Sequence, residues 1–173
     1  VTFNMALWIA TRQNKHVEVY DLDPQATTSD AFAIRQEEGH LPTIQPSHDL
    51  QTLAQIPAHT EVLIDIGMAN QSALQQAIRQ ANRIIIPIAP SQADVWSTQR
   101  FLKMIAAERT LTDIELLVLL NRADTHHAVR ESDEAAEAIV SLQGVRLLSS
   151  RLYLRTTYRR SFSEGLAVFE MEP

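Results

Sequence analysis

Short apolar runs alternate with amphipathic stretches along this chain, and the alternation predicts an α/β protein. Five runs have the length and composition of strands, at residues 16–22, 61–66, 83–88, 114–120 and 145–148. Uninterrupted apolar runs, such as the one at 116–120, are typical of strands that are covered on both faces. Strand–helix alternation implies βαβ units with parallel pairing. We therefore predict a three-layer α/β fold, in which a mostly parallel, twisted sheet has helices on both faces.

The amphipathic stretches predict six helices, at residues 1–12, 28–38, 70–81, 94–108, 130–142 and 156–164. In the first helix the predicted apolar stripe consists of Val1, Met5, Trp8 and Ile9. In the fourth helix it consists of Val95, Leu102, Ile105 and Ala106. Residues 39–60 contain three prolines and predict a loop, with room for one helix at 49–55.

The composition is that of one globular domain spanning residues 1–173. Of its residues 45% are apolar and 21% are charged, and cysteine is absent, which excludes disulfides, iron–sulfur clusters and thiolate zinc sites. The adjacent His126 and His127 are a poor metal-ligand set because neighbouring side chains on a helix point in different directions, so we expect surface residues. No apolar run is long enough to span a bilayer, and we expect a cytoplasmic protein with no membrane partner.

Charge is distributed unevenly along the chain. The formal net charge of −6 argues against non-specific nucleic-acid binding by the whole surface. Residues 141–163 nevertheless contain no acid, and their arginines are Arg146, Arg151, Arg155, Arg159 and Arg160. Arginine binds phosphate through paired N–H groups, and Tyr153 and Tyr158 are interleaved as at nucleic-acid surfaces. The alternative is a solvated surface whose arginines pair with acids elsewhere in the chain.

Acidic residues lie at the ends of two predicted strands, where parallel sheets bind ligands. Asp21 and Asp23 could orient a water molecule or coordinate Mg²⁺ through solvent, and the alternative is a helix cap or turn. Asp65 ends the next strand in a Walker B pattern, which directs a carboxylate towards Mg²⁺. The alternative for Asp65 is a cap of the following helix. Gly67 would allow a phosphate to approach the backbone closely.

Prolines and an asparagine lie at the ends of the next two strands. Pro87 and Pro90 predict a rigid wall at the edge of the site. Ser91 and Asp94 come next, and taken singly they are typical of a helix N-terminus. Asn121 has donors and acceptors that match a purine edge, and the alternative is a turn residue.

The order of these pieces resembles the ParA/MinD family of deviant Walker A partition ATPases, most nearly its short plasmid-type members. The motifs are Val-Tyr-Asp-Leu-Asp-Pro-Gln at 19–25, Val-Leu-Ile-Asp at 62–65, Ile-Ile-Ile-Pro-Ile-Ala-Pro-Ser at 84–91, Leu-Leu-Asn-Arg at 119–122 and a C-terminal segment at 155–170. The resemblance covers most of the chain. It implies a P-loop NTPase-like fold with ATP or ADP as the ligand and Mg²⁺ as the metal.

The resemblance also implies roles for individual residues. Asp23 would position the attacking water, and Asp65 would act on Mg²⁺ through water. The adenine pocket would be lined by Pro87, Pro90, Asn121 and Arg122. The surface that binds DNA would include Arg151, Arg155, Arg159 and Arg160.

Family membership would bring partners as well. The resemblance implies an ATP-dependent homodimer that binds DNA non-specifically on the nucleoid, and a centromere-binding ParB-like protein that stimulates slow hydrolysis. We therefore expect an ATPase that drives DNA partition or segregation. Two alternatives stay open: a non-catalytic interaction module on the same fold, and a related ATPase with a different cargo, of the cell-division or cellulose-synthesis type.

The chain departs from the family pattern in three places. It contains neither the family's first strand nor the Lys-Gly-Gly-x-Gly-Lys-Thr-Thr phosphate loop, and Gly67-Met68 replaces the Pro-Pro that is frequent after the Walker B acid. The family's final helices are missing after Pro173. We therefore expect a sequence that is incomplete at both ends, with exposed edges on the strands that flank the first one. Because the phosphate-contacting lysines belong to that loop, we expect this chain alone not to hydrolyse ATP.

Overall fold

All predicted strands and helices are present in the computed structural model, which describes residues 1–125 and 130–171. The first half contains helix α1 (Thr2–Arg12), strand β1 (Val17–Asp21), α2 (Thr27–Glu37), β2 (Glu61–Asp65), α3 (Gln71–Gln80) and β3 (Arg83–Ile88). The second half contains α4 (Gln92–Glu108), β4 (Glu115–Ala123), α5 (Glu131–Val140), β5 (Arg146–Tyr153) and α6 (Thr156–Ser163). Short 3-10 helices lie at Leu50–Gln55, Leu111–Asp113 and Val168–Glu170. The predicted surface pair His126 and His127 lies outside the described residues.

The chain forms two compact units, Val1–Ala77 with Thr156–Pro173, and Ile78–Arg155. In the first unit β1 and β2 pair in parallel, with Asp21 opposite Asp65 at their carboxyl ends. Ser47 bridges the other edge of β1, where its carbonyl accepts a 2.8 Å hydrogen bond from the Asp21 amide. The residues at the end of β1 are therefore fixed from both sides.

Both faces of the β1–β2 sheet are covered, because successive side chains of a strand point to opposite faces. One face packs against α1 and α2 through a cluster of Val19, Phe3, Leu7, Ala31 and Phe32. The opposite face packs against the first 3-10 helix and α3 through Tyr20, Leu22, Leu50 and Ala77. This arrangement confirms the predicted layers of helix, sheet and helix.

The second unit is built on three parallel strands in the order β3-β4-β5. The central strand β4 is buried from Leu116 to Leu120, with each of these side chains less than a tenth exposed. Helix α4 packs on β3, while α5 packs on β4 and β5. The uninterrupted apolar run at 116–120 therefore marks a central strand, as predicted.

Several details of the sequence prediction are wrong. In α1 the buried stripe is Phe3, Ala6 and Leu7, and Trp8 is 47% exposed. Phe3 is selected because its ring packs on the ring of Phe32, with centroids 4.7 Å apart. Two further corrections concern α4 and the last strands. In α4 the hydroxyl group of Thr98 is buried, and Ala106 is exposed. Strands β4 and β5 run on to Ala123 and Tyr153, beyond their predicted ends.

The predicted exposed strand edges are present in the described part of the chain. There, β2 and β3 each have a hydrogen-bonded strand on one edge only. Most of their residues are partly exposed, in contrast to β4. None of the helices in residues 1–125 and 130–171 has both the length and the apolar character that crossing a membrane requires.

Candidate functional site

Asp21 is a buried acid that anchors helix α2. Its side chain is 2% exposed, and its Oδ2 atom accepts hydrogen bonds from the Ser29 amide at 2.8 Å and the Ser29 hydroxyl at 2.7 Å. The Nδ1 atom of His48 lies 2.9 Å from the Asp21 carbonyl oxygen. Of the two alternatives for Asp21, a helix-capping acid fits these bonds directly.

Asp65 lies beside Asp21 at the end of the neighbouring strand. Its Oδ2 atom accepts a hydrogen bond from the hydroxyl of Thr28, in the first turn of α2. The nitrogen atom of Val1, at the start of α1, lies within electrostatic range of this carboxylate. The first turns of α1 and α2 therefore both approach the end of β2.

Asp23 lies in the turn between β1 and α2, and it faces the backbone that follows β2. Its Oδ1 atom accepts a 2.9 Å hydrogen bond from the Gln25 amide. Its Oδ2 atom lies so close to Gly67 that a Cβ atom there would be 2.7 Å away. The turn closes through a 2.9 Å bond from the Ala26 amide to the Asp23 carbonyl, and Ala26 has a left-handed backbone with φ of 49°. A left-handed alanine is strained, and such positions are frequent at functional turns.

These carboxylates suit Mg²⁺ that is held through water. Magnesium prefers hard oxygen ligands, and in nucleotide sites it binds one or two carboxylates together with water and phosphate oxygens. Asp23 and Asp65 supply such oxygens at the carboxyl ends of β1 and β2. No group of three or more His, Asp or Glu side chains able to hold a metal directly occurs within residues 1–125 and 130–171. A site completed by solvent and phosphate therefore fits the residues present.

In the second unit, Asn121 and Arg122 form an irregular end of β4. The three steps from Leu120 to Ala123 lie opposite only two steps of β5, from Arg151 to Tyr153. The extra residue of β4 is accommodated at Arg122, whose backbone is left-handed with φ of 58°. The Arg122 amide donates a 3.0 Å hydrogen bond to the Asn121 side-chain oxygen. Such bulges redirect side chains and are frequent next to active sites. The sequence predicts both residues just after the strand, whereas they lie between its last two paired residues, Leu120 and Ala123.

Pro87 and Pro90 lie at the end of β3, and they are followed directly by the start of α4. Pro87 can occupy β3 because this strand is at the edge of its sheet, where a missing N–H group is tolerated. Ser91 is the N-cap of α4, since its hydroxyl oxygen accepts a 3.1 Å bond from the Asp94 amide. The capping alternative for Ser91 and Asp94 is therefore confirmed.

The arginines of residues 141–163, the basic segment, differ in their partners. Arg151 pairs with Asp133 at 2.8 Å, and Arg160 pairs with Glu164 at 3.0 Å. Arg155 and Arg159 are exposed. Pairs between exposed side chains are weak and can be exchanged for phosphate contacts, so these bonds are compatible with either alternative for the segment.

Comparison with known proteins identifies relatives that extend over nearly the whole chain. No protein-family model matches it. The chain is 26% identical over 167 residues to Maintenance of carboxysome distribution protein A of Halothiobacillus neapolitanus. This match covers 92% of this chain and 76% of that protein. This match supports the resemblance to the ParA/MinD family.

Solved structures share the ParA-type fold. Apo McdA from Cyanthece has a TM-score of 0.74 at 19% identity, over 98% of this chain and 86% of that one. A plasmid partition protein of Borrelia burgdorferi B31 bound to AMPPNP has a TM-score of 0.69 at 13% identity, over 98% and 88% of the two chains. A ParA family ATPase from Chlorobium tepidum TLS has a TM-score of 0.63 at 17% identity, over 98% and 84%. Proteins with this fold thus include an ATPase and one with a bound nucleotide analogue.

The strand-end motifs do not identify the residues that hold these carboxylates. Thr28 and Ser29 bond to Asp65 and Asp21, respectively. The sequence does contain a signal for them, the run of Thr and Ser at the start of α2. Such residues typically form side-chain hydrogen bonds near a helix N-terminus. Arg35 is buried at the far end of the same helix, and no periodicity marks it.

Proposed function

We propose that this protein is a ParA/MinD-type ATPase whose nucleotide state controls the position of a cargo, and that the cargo is DNA. The observation that carries the proposal is the approach of Asp23 to Gly67, beside Asp65 at the end of β2. This arrangement presents two carboxylates and a glycine backbone at strand ends, where parallel sheets bind ligands. The family resemblance supplies ATP as the ligand.

The two carboxylates have different proposed roles. Asp65 would hold Mg²⁺ through water, and the hydrogen bond from Thr28 would keep its carboxylate oriented. When bound, Mg²⁺ neutralises charge on the phosphates. Asp23 would position the attacking water molecule, since its Oδ1 atom is fixed by the Gln25 amide while its Oδ2 atom is not. Asp21 acts instead as the anchor of α2.

The remaining roles follow the family resemblance and stay proposals. Asn121 and Arg122, with Pro87 and Pro90, would contact adenine, and the bulge at Arg122 supports this by directing polar groups away from the regular strand. ATP would promote homodimer formation, and the dimer would bind DNA on the nucleoid through the basic segment. A centromere-binding ParB-like protein would stimulate hydrolysis.

Substitution of Asp23 in the full-length protein tests the ATPase proposal. We expect Asp23→Ala to retain ATP binding and dimer formation while kcat falls about 100-fold or more, because the water molecule loses its orienting base. ATP affinity is measured by calorimetry with Mg²⁺, and turnover by phosphate release. Asp30→Ala is the matched control, because Asp30 is an exposed acid in the first turn of the same helix.

Two results would count against the proposal. Turnover of Asp23→Ala at the parent rate removes Asp23 from its role. A full-length parent protein that does not bind ATP with Mg²⁺ excludes the ATPase and favours the non-catalytic interaction module.

A second candidate function is the distribution of a protein assembly along DNA. The observation that favours it is the similarity to the carboxysome distribution protein of Halothiobacillus neapolitanus, which is 26% identical. Deletion of the gene in its host separates the two cargoes. Partition of DNA predicts loss of a replicon from daughter cells, whereas distribution of an assembly predicts stable replicons and a mispositioned, fluorescently labelled protein body.

A further inference from the structure

Helix α2 holds both strand-end carboxylates by its first turn. The Thr28 hydroxyl donates to Asp65, and the Ser29 amide and hydroxyl donate to Asp21. The position of α2 along its own axis therefore decides whether these donors reach the carboxylates. A shift of about 1 Å would break hydrogen bonds of this length.

The other end of α2 is fixed by a buried arginine. Arg35 is 1% exposed, and it lies seven residues beyond Thr28, roughly 10 Å along the helix. Its Nη1 and Nη2 atoms form a two-pronged pair with Glu170, at 2.8 and 2.9 Å. The remaining donors bond to the carbonyl oxygens of Pro42 at 2.9 Å and Gly165 at 3.0 Å, and to that of Leu41.

Stability alone does not explain such a pair. The Arg35 side chain is removed from water and the Glu170 side chain stays 21% exposed. Burying a charged group costs several kcal/mol, and apolar residues of the same volume often stabilise a fold equally well. What a fully bonded guanidinium adds is a defined geometry, because its planar fork matches one carboxylate orientation. Burial of Arg35 thus points to a requirement for position.

The segment that contains Glu170 also holds α1. The Val168 amide donates a 2.8 Å hydrogen bond to the side chain of Asn4. The ring of Phe169 packs edge-on against Trp8, with centroids 5.3 Å apart, and the Arg12 guanidinium lies over the same ring. Glu170 itself also accepts a 2.8 Å bond from the Ala167 amide. Residues 165–170 therefore tie together the two helices whose first turns approach Asp65.

We propose that Arg35 and Glu170 are positioning residues, which hold the carboxylates of Asp21 and Asp65 in their working geometry through α2. Glu170 fixes Arg35, Arg35 fixes the end of α2, and the first turn of α2 fixes the carboxylates. Neither residue contacts the carboxylates directly. Only the kinetic part of the test rests on the proposed ATPase function, because the position of α2 can be measured without nucleotide.

Hydrogen exchange in the full-length protein tests the positioning role. Arg35→Lys keeps the charge but loses the fork, and Glu170→Gln keeps the shape but loses the charge. In each variant we expect the Ser29 amide, which bonds to Asp21, to exchange about 10-fold faster or more, while the Val19 amide in β1 stays within about twofold. Glu61→Gln is the matched control, because Glu61 pairs with Lys15 at the opposite end of β2 and is exposed.

The outcomes separate positioning from general stabilisation. Unchanged Ser29 exchange in the folded variants overturns the proposal, and so does equal acceleration of Ser29 and Val19, which is the result of lost stability alone. If neither variant folds, native-state exchange of the parent protein decides. The Ser29 and Val168 amides should then open with the same free energy and denaturant dependence, and independent opening overturns the proposal.

Kinetics provides a readout that depends on the ATPase. In the same variants we expect kcat to fall at least about 10-fold with KM for ATP within about twofold, because misplacement of catalytic groups affects the transition state more than binding. Equal kcat in variant and parent contradicts the positioning role. Absence of ATPase activity in the parent refutes the proposed function, and the exchange result still decides the positioning role.

Discussion

Gly39 and Gly165 share a backbone conformation but differ in their surroundings. Both are left-handed, with φ of 75° and 66°. A Cβ atom on Gly39 would meet nothing within 4 Å, whereas one on Gly165 would lie 2.5 Å from the backbone nitrogen of Arg35. The contact at Gly165 involves helix backbone, which cannot turn aside as a side chain can. This pair therefore separates the cost of backbone strain from the cost of close packing.

We expect Gly165→Ala to be much more destabilising than Gly39→Ala. The strain of a left-handed alanine costs about 1 kcal/mol at either position. At Gly165 the collision with α2 adds at least about 2 kcal/mol, typical of an overpacked core. Urea unfolding of both variants measures the difference in the free energy of unfolding. Equal losses would contradict the close contact between Gly165 and α2.

At the scale of elements, apolar periodicity was sufficient for the strands and insufficient for some helix faces. Strand β3 was predicted at its observed bounds, because its apolar run is closed by charged and proline residues. Helix α1 is apolar on several sides, so its sequence allows more than one stripe, and contact with Phe32 selects Phe3 over Trp8. Such a choice depends on a residue far away in the chain.

In the candidate site, too, local features could be predicted from the sequence and contacts between distant residues could not. Asp23 and Asp65 could be predicted because strand ends and their motifs are local features of the sequence. The burial of Arg35 could not, since its partner Glu170 lies 135 positions away. The left-handed conformation of Arg122 was equally hidden, because it results from the register between β4 and β5.

Glu115 links all three strands of the second unit, and this link predicts acid sensitivity. It pairs with Arg83 of β3 and Arg146 of β5. The hydrogen bond from Arg83, with a further one from Arg146, lowers the pKa of Glu115 in the folded protein. A lowered folded pKa stabilises the fold above the unfolded pKa, about 4.3, and the stabilisation is lost as the pH falls through the folded pKa.

We therefore expect Glu115→Gln to reduce the loss of stability between pH 7 and pH 3. At pH 7 the variant should be the less stable protein, and near pH 3 the two should converge. Urea unfolding across this pH range measures the difference. Glu108→Gln is the matched control, because Glu108 pairs with a single arginine, Arg79. Parallel pH profiles for Glu115→Gln and the parent protein would contradict the link.

For the whole molecule, net charge and local charge act in opposite directions on DNA binding. The net charge of −6 repels DNA, and the repulsion weakens beyond about 8 Å at physiological ionic strength. Arginines that touch phosphate act within that distance and release counterions. Specific contacts by the basic segment can therefore bind DNA despite an acidic surface elsewhere.

We expect Arg155→Ala combined with Arg160→Ala to weaken DNA binding similarly for all sequences, because phosphate contacts carry no sequence information. The slope of log K against log salt should fall by about 1 for each phosphate that the variant no longer neutralises. Binding of the full-length protein with ATP to two unrelated duplexes, measured across a salt series, gives both quantities. The matched control is Arg79→Ala with Arg100→Ala, which changes the net charge equally in other helices. If the control pair reduces the slope as much as the test pair, general charge drives binding, and if neither pair reduces it, DNA binds outside these arginines.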